Sequence, residues 1–345
     1  MNFAGIGVFV LCIAILAWGA TGAVGLVLRR WAVLDHPNAR SSHATPVPRG
    51  GGLGLMAALA VGWLWADPHA IPLVGLAGGL MGISFLDDVR GLSVGLRLLV
   101  QGVAVGGGLI LLPDDVLVLQ GVLPLVGDRM LAAVLWMWFI NLYNFMDGIN
   151  GLTGVETASI GIGVAVGAAG SGLVPVVGWQ GLALAGASVG FLRWNWAPAK
   201  VFMGDAGSVP LGYLVGWLLL VLAGSGQGAA AVILPLYYLT DATLTVVRRA
   251  LRGEKIWQPH RQHFYQKAVQ AIGGRHAAVT GRIGVANAGL VALAALASWT
   301  KVTELKVTAV TGAVGIVAGL LVHLVRLSNT PSSRERASSG GKNDR

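Results

Sequence analysis

Three long stretches of the chain, residues 3–28, 157–192 and 206–240, carry no charged side chain. Crossing the hydrocarbon core of a bilayer takes about 20 apolar residues. The first stretch therefore suits one span, and each of the other two suits two spans or most of two. The rest of the chain follows the same pattern, with 55% hydrophobic residues and only 11% charged ones. An average soluble protein is about a quarter charged. The chain is expected to be an all-α, polytopic transmembrane helix bundle.

Helices are expected near residues 3–28, 51–66, 71–86, 98–113, 129–145, 153–170, 174–192, 209–224, 229–247, 283–298 and 307–326, about eleven spans separated by charged or Gly/Pro/Ser-rich segments. The first lacks a basic leader and a small-residue cleavage site, so it reads as a retained helix. With the N-terminus outside, alternation gathers 29–50, 87–97, 146–152, 193–208, 248–282 and the tail on one side. That side holds all 24 Lys and Arg except Arg129, Lys301 and Lys306. Such an excess marks the cytoplasmic face, which puts the C-terminus in the cytoplasm. Trp31, Trp65, Trp194, Trp196 and Trp299 fall at expected helix ends, where an interfacial aromatic belt belongs. Residues 1–326 read as one integral-membrane domain, and 327–345 as a disordered cytoplasmic tail.

Other classes drop out quickly. Cys12 is the sole cysteine, which excludes disulfides and Cys-based metal sites. The formal charge of +9 is accounted for by membrane topology and does not call for nucleic acid. The abundant Gly is expected to serve close helix packing. Gly-rich fragments such as 50–55 lack the βαβ setting that dinucleotide binding requires.

The polar motifs outside the tail fall on the same predicted face. F-L-D-D-V-R-G-L-S ends one helix with Asp87 and Asp88, and Arg97 and Gln101 start the next. F-I-N-L-Y-N-F-M-D-G-I-N-G-L ends another and brings Asn141, Asn144, Asp147 and Asn150. W-N-W-A-P-A-K-V-F-M-G-D-A-G-S joins two more, with Asn195, Phe202 and Asp205. P-H-R-Q-H-F-Y-Q-K, containing His260, Arg261 and His263, lies in the longest loop. The opposite loops carry only scattered acids: Asp67, Asp114, Asp115, Asp128 and Glu304. Carboxylates accompanied by Asn and a few His suit a hard, oxygen-preferring ion such as Mg²⁺, which needs one or two carboxylates plus substrate phosphates. Arg40, Arg49, Arg97, Arg261 and the pair His260 and His263 could hold phosphoryl oxygens. H-R-Q-H lacks the spacing and the Glu of a zinc-protease helix. A transporter would gather its ionisable groups near the midplane, whereas these gather at one surface.

Taken together and in this order, L-D-D, N-x-x-D-G-x-N-G-L, N-x₆-F-M-G-D-x-G-S and the late His loop resemble the polyprenyl-phosphate N-acetylhexosamine-1-phosphate transferases, glycosyltransferase family 4. The resemblance covers roughly residues 29–270. It implies transfer of a sugar 1-phosphate from a UDP-N-acetylhexosamine to undecaprenyl phosphate, with release of UMP. The implied cofactor is Mg²⁺, with Mn²⁺ as an alternative, and the implied location is the cytoplasmic face of a bacterial inner membrane. It also implies roles. Asp87 orients or deprotonates the lipid phosphate, Asp88 supports the metal and Asp205 ligates it. Asn144, Asp147 and Asn150 make nucleotide and active-site hydrogen bonds. Asn195 and Phe202 hold the uracil. His260, Arg261 and His263 face the pyrophosphate and sugar. Asp241 matches a family acid, with an ion pair to Arg248 as the alternative reading.

Two departures narrow the expectation. Asn150 stands where the peptidoglycan translocase branch has Asp, and the late loop lacks that branch's run of three His. P-H-R-x-H-F-Y-Q looks more like the O-antigen-initiating branch. The rival class is a transporter or flippase for a lipid-linked or nucleotide sugar. A homodimer is left open.

Overall fold

The computed structural model describes residues 3–35, 45–114, 116–171, 175–256, 258 and 260–329. Its helices are α1 (Phe3–Arg30), α2 (Gly52–Ala66), α3 (Ile71–Arg90), α4 (Val94–Ile110), α5 (Leu125–Met146), α6 (Leu152–Ser171), α7 (Pro175–Asn195), α8 (Asp205–Leu222), α9 (Gly228–Ile233), α10 (Leu236–Leu251), α11 (Phe264–Ala271), α12 (His276–Trp299) and α13 (Thr303–Ser328). Among the described residues the only sheet is a two-stranded antiparallel ribbon, β1 (Leu34–Asp35) with β2 (Val47–Pro48). Eight helical segments are long and apolar enough to cross a membrane, and α2 and α4 are shorter apolar helices. Each of the eleven expected helices has a helical counterpart.

Three differences from expectation have physical causes, and a fourth is a shift of boundary. The helix expected over 229–247 is broken, because Pro235 has no N–H to give and its ring crowds the preceding turn; α9 ends at Ile233 and α10 begins at Leu236. The helix expected from residue 209 starts at Asp205, directly after Gly204 at φ +74°. Asp205 thus sits in a first helical turn, where the helix dipole favours an acid. An unexpected helix, α11, follows the His motif, with His263 and Gln266 forming a capping box. The last helix runs to Ser328, past the expected boundary at 326; residues 330–345, like Arg40, lie outside the described residues.

Burial grades the helices from hub to rim. The apolar window of the segment starting at Asp205 is 83% buried, and that of α1 only 17%. So α8 is the axis of the bundle and α1 faces lipid. Trp136 of α5 stacks on Tyr213 of α8 with centroids 4.6 Å apart, and its indole N–H donates to the Tyr213 carbonyl at 3.0 Å. Helices α6 and α7 meet backbone to backbone at Gly161 and Gly181, where a Cβ on either would press on the other's carbonyl oxygen. Trp65, Trp299 and Trp31 are 62%, 65% and 68% exposed, as an interfacial belt requires.

The bundle's two ends differ. At one, Asp128 is fully buried and accepts from the Val118 and Leu119 amides at 3.0 and 2.7 Å, so this acid is used in holding a loop. At the other meet the ends of α1, α3, α5 and α7 and the starts of α2, α4, α6, α8 and α12, bringing the sequence motifs with them.

Candidate active site

Asp87 and Asp88, adjacent in sequence, point to different tasks. Asp87 closes the α3–α4 turn: one carboxylate oxygen accepts the Leu92 amide at 2.6 Å and the other meets the Arg97 guanidinium at 2.9 Å. Asp88, with a side chain only 1% exposed, turns inward. Its Oδ2 accepts the Ala206 amide at 3.2 Å, in the first turn of α8, and its Oδ1 lies 2.8 Å from Arg49 Nη2. The same Arg49 nitrogen lies 3.0 Å from Asp205 Oδ1. Arg49 is carried to this point by backbone pairing of its own segment with Phe202: the Phe202 amide donates to the Pro48 carbonyl, and the Phe202 carbonyl accepts from Gly50 and Gly51.

Helix α5 delivers the next group. The Asn144 amide nitrogen is 3.4 Å from Asp205 Oδ2, and its oxygen accepts the Ser208 hydroxyl at 2.6 Å. Asp147, just past the end of α5, accepts the Thr153 hydroxyl at 2.7 Å. Burial pushes its carboxyl up to about 6; Asp205 and Asp88 add to the rise, while Thr153 and Arg49 oppose it. Asp87, Arg97, Asn144 and Asp205 line one cavity together with Gln101 and Asn141. The last two are bonded to each other at 2.8 Å. They were not expected as site residues, and the signal that could have found them is an amide inside an otherwise apolar helix.

Asn195 and Asn150 brace the site. Asn195 is 4% exposed; its oxygen accepts the Gly151 amide at 2.9 Å and its nitrogen donates to the Val201 carbonyl at 3.0 Å. Both ends of its amide are therefore engaged with backbone, tying the α5–α6 turn to the segment leading into α8. The Asn150 backbone is held from α12, its amide donating to His276 Nδ1 at 3.1 Å and its carbonyl accepting from Thr280 at 3.0 Å.

The His loop is joined to this group rather than lining its cavity. Residues 260–263 are not helical, yet the His260 and His263 rings stack with centroids 4.9 Å apart. His263 is 1% exposed, with Nδ1 3.0 Å from Asp241 Oδ1. Asp241 also accepts the Phe264 and Tyr265 amides and the hydroxyls of Tyr237 and Thr245. The pairing of Asp241 with Arg248 that spacing allowed is replaced by this set, and Arg248 lies over the Phe264 ring instead, 4.8 Å from its centroid. The Tyr265 hydroxyl donates to the Phe145 carbonyl at 3.2 Å, which fastens the loop beneath the Asn144–Asp147 turn. His260 is partly exposed, and burial, followed by the fields of His263 and Arg249, lowers it to about 4. Its ring is neutral at pH 7. Since Nδ1 accepts the Gln262 amide at 3.3 Å, the ring proton sits on Nε2. Arg261, partly exposed beside it, is the charged member of the motif.

The donor set fits an open magnesium site. Among the described residues no three His, Cys, Asp or Glu side chains converge to enclose an ion, but Mg²⁺ is commonly held by one or two carboxylates with substrate phosphates completing the shell. Asp88 and Asp205 offer such a pair, and Asp205 remains 20% exposed toward the cavity.

Sequence comparison supplies relatives of the chain. Residues 70–223 match the model of Glycosyl transferase family 4. The decaprenyl-phosphate N-acetylglucosaminephosphotransferase of Mycobacterium tuberculosis H37Rv is 28% identical over 316 residues, covering 77% of this chain and 76% of the relative. The undecaprenyl-phosphate alpha-N-acetylglucosaminyl 1-phosphate transferase of Escherichia coli K12 is 27% identical over 269 residues, covering 71% of each. A probable undecaprenyl-phosphate N-acetylglucosaminyl 1-phosphate transferase of Bacillus subtilis 168 is 26% identical over 259 residues, covering 70% of this chain and 71% of the relative. The family match contains Asp87, Asp88, Asn144, Asp147, Asn195 and Asp205, and ends before the His loop.

Proposed function

We propose that this chain, which resembles glycosyl transferase family 4 over residues 70–223, transfers a sugar 1-phosphate from a UDP-N-acetylhexosamine to undecaprenyl phosphate at the cytoplasmic face of a bacterial inner membrane. The acceptor phosphate oxygen attacks the phosphorus that carries the sugar. The bond between the two donor phosphates breaks, and UMP leaves with the bridging oxygen. One pyrophosphate link replaces another, so the main obstacle is assembling several negative charges in one place.

The observation that carries this reading is the meeting of Arg49, Asp88 and Asp205, from three remote segments, at the rim of a cavity also lined by Asn144 and Arg97. Arg49 and Arg97 take phosphoryl oxygens. Asn144 and Asn150 orient the nucleotide, Phe202 supports the base, and Asn195 holds the two segments that frame it. Asp87, on the cavity wall, orients or deprotonates the acceptor phosphate, and Asp147 makes active-site hydrogen bonds. His260 Nε2–H and Arg261 donate to the pyrophosphate and sugar side. Asp205 and Asp88 would hold Mg²⁺, or Mn²⁺ in its place, which when bound neutralises phosphate charge. The motif order P-H-R-x-H-F-Y-Q supports a role in starting an O-antigen or related surface polysaccharide.

The test is incubation of the purified protein with a panel of labelled UDP-N-acetylhexosamines, undecaprenyl phosphate and Mg²⁺. Formation of lipid-linked sugar with stoichiometric UMP is expected. Flux of substrate across sealed proteoliposomes without bond cleavage would instead establish a transporter.

A further inference from the structure

A second polar cavity, of about 280 Å³, lies where α10 and α13 end and α11 begins. Arg248 and Arg252 from the end of α10 and Lys267 from α11 line it, with Phe264 and Asn329. None of the three cations forms an ion pair within 4.0 Å among the described residues. The nearby acids are engaged elsewhere: Glu254 is bonded to Arg249 at 2.8 Å and to Gln262 at 2.9 Å, and Asp241 is occupied by His263 and its neighbours. Arg248 is already positioned by its stacking over Phe264. The cavity is therefore a preorganised concentration of positive charge with no acid within ion-pair distance among the described residues, Glu254 feeling Arg252 only through its field.

Its location selects the kind of anion. Helix α10 is turned inside out: its buried face is Tyr237, Tyr238, Asp241, Thr245 and Arg249, and its exposed face includes Leu244, Val247 and Leu251, the last 83% exposed. An apolar face directed outward beside α13, a bilayer-length helix, belongs against lipid. Val325, also on the cavity wall, is 39% exposed on that side. A ligand here meets acyl chains below and guanidinium groups above.

We propose that this cavity binds the phosphate of an anionic membrane lipid headgroup, separately from the reaction cavity lined by Asp87 and Asp205. Arg supplies the paired N–H donors that phosphate oxygens accept, and basic pockets between helix ends on the cytoplasmic side suit such headgroups. Gln262 and Phe264 form part of the wall and flank His263, so a bound headgroup braces the His loop from outside while Asp241 holds it from within.

The readout is lipid retention, which does not depend on turnover or on the proposed reaction. Native mass spectrometry of the full chain titrated with phosphatidylglycerol or phosphatidylcholine should show one phosphatidylglycerol bound on the order of tenfold more tightly than phosphatidylcholine. The triple variant Arg248→Gln, Arg252→Gln, Lys267→Gln should lose that preference. Equal retention of phosphatidylglycerol by variant and wild type, or equal affinity for both lipids, overturns the proposal. If the triple variant does not fold, Lys267→Glu, at an exposed position of α11, is read by the same criteria. Inorganic phosphate and UMP are titrated alone in an uncharged detergent. Saturable binding of either that disappears in the variant would replace the lipid with a soluble phosphate ligand.

Discussion

Asp88 and Asp205, more than a hundred residues apart in sequence, share a single guanidinium nitrogen: Arg49 Nη2 is 2.8 Å from one carboxylate and 3.0 Å from the other. Two carboxylates this close repel unless a cation lies between them. Arg49 therefore holds the pair together, and the phosphates and metal of a loaded site compete for the same charges. Arg49→Ala should reduce UMP release about a hundredfold or more, with Arg49→Lys restoring only part because a point charge cannot bridge as a planar fork does. Steady-state kinetics decide it, and turnover in Arg49→Ala within a few fold of wild type would remove Arg49 from the site.

The same geometry predicts a metal requirement. Chelation of divalent ions should abolish transfer, and Mg²⁺ or Mn²⁺ should restore it. Asp205→Asn should raise the Mg²⁺ concentration needed for half-maximal rate as well as lower the maximum, because it removes one of the two carboxylates proposed to hold the ion. Full activity of Asp205→Asn at the wild-type Mg²⁺ optimum would move the metal elsewhere.

The pH profile should report Asp147. Burial holds its carboxyl at about 6, and the Thr153 hydroxyl lowers it by donating to the ionised form. With the ionised form active, turnover rises as pH increases through about 6. Thr153→Val removes the donor and should shift this acid limb upward, while Thr153→Ser should leave it in place. The effect on stability has the opposite sign. The folded value lies above the ordinary 3.8, so stability linked to the protonated carboxyl is complete below pH 3.8 and lost as pH rises through about 6. Asp147→Asn should therefore lose turnover without losing thermal stability at pH 7. An acid limb that stays fixed in Thr153→Val would separate Asp147 from the rate.

Asp241 predicts a structural failure with a local signature. Its two oxygens serve His263, two backbone amides and two hydroxyls, all at the start of α11 or on α10. Leaving buried donors without acceptors costs about 1–3 kcal/mol each. Asp241→Ala should release the His loop, and limited proteolysis should cut within residues 252–263 much faster than in wild type. Resistance equal to wild type would mean that packing alone holds α11.

The contrast between Asp205 and Asp241 shows what the sequence could reveal. F-M-G-D contains the turn residue Gly204 and precedes an uncharged run, so both the helix and the acid beside it were legible, with only the boundary misplaced. Asp241 lay in an apolar stretch read as a continuous span. Its role became visible only when Pro235 broke that span and a short helix formed beneath it. Asn195 was legible as important, but its two backbone partners depend on long-range chain placement that spacing cannot supply. Glu156 and Asn287, a fully buried pair 2.7 Å apart joining α6 to α12, escaped notice for the same reason.

The last prediction concerns how Asp205 reaches Arg49 at all. Gly207 of α8 and Gly52 of α2 lie against each other: a Cβ built on Gly52 would overlap the Gly207 Cα, and one built on Gly207 would lie 2.6 Å from the Gly52 Cα. Arg49 is three residues before Gly52 and Asp205 two before Gly207, so this contact sets the spacing of the ion pair. Gly52→Val or Gly207→Val must push the two helix starts apart. Overpacking typically costs about 1–3 kcal/mol, but a displacement of about 1 Å at a catalytic group can cost a hundredfold in rate. Turnover should therefore fall far more than the melting temperature suggests. Gly78→Ala, on α3 where an added Cβ meets nothing within 4 Å, should match wild type in both measurements. Equal proportional losses of stability and rate in the Gly52 and Gly207 variants would show that the contact serves the bundle alone and that the Arg49–Asp205 spacing is set by something else.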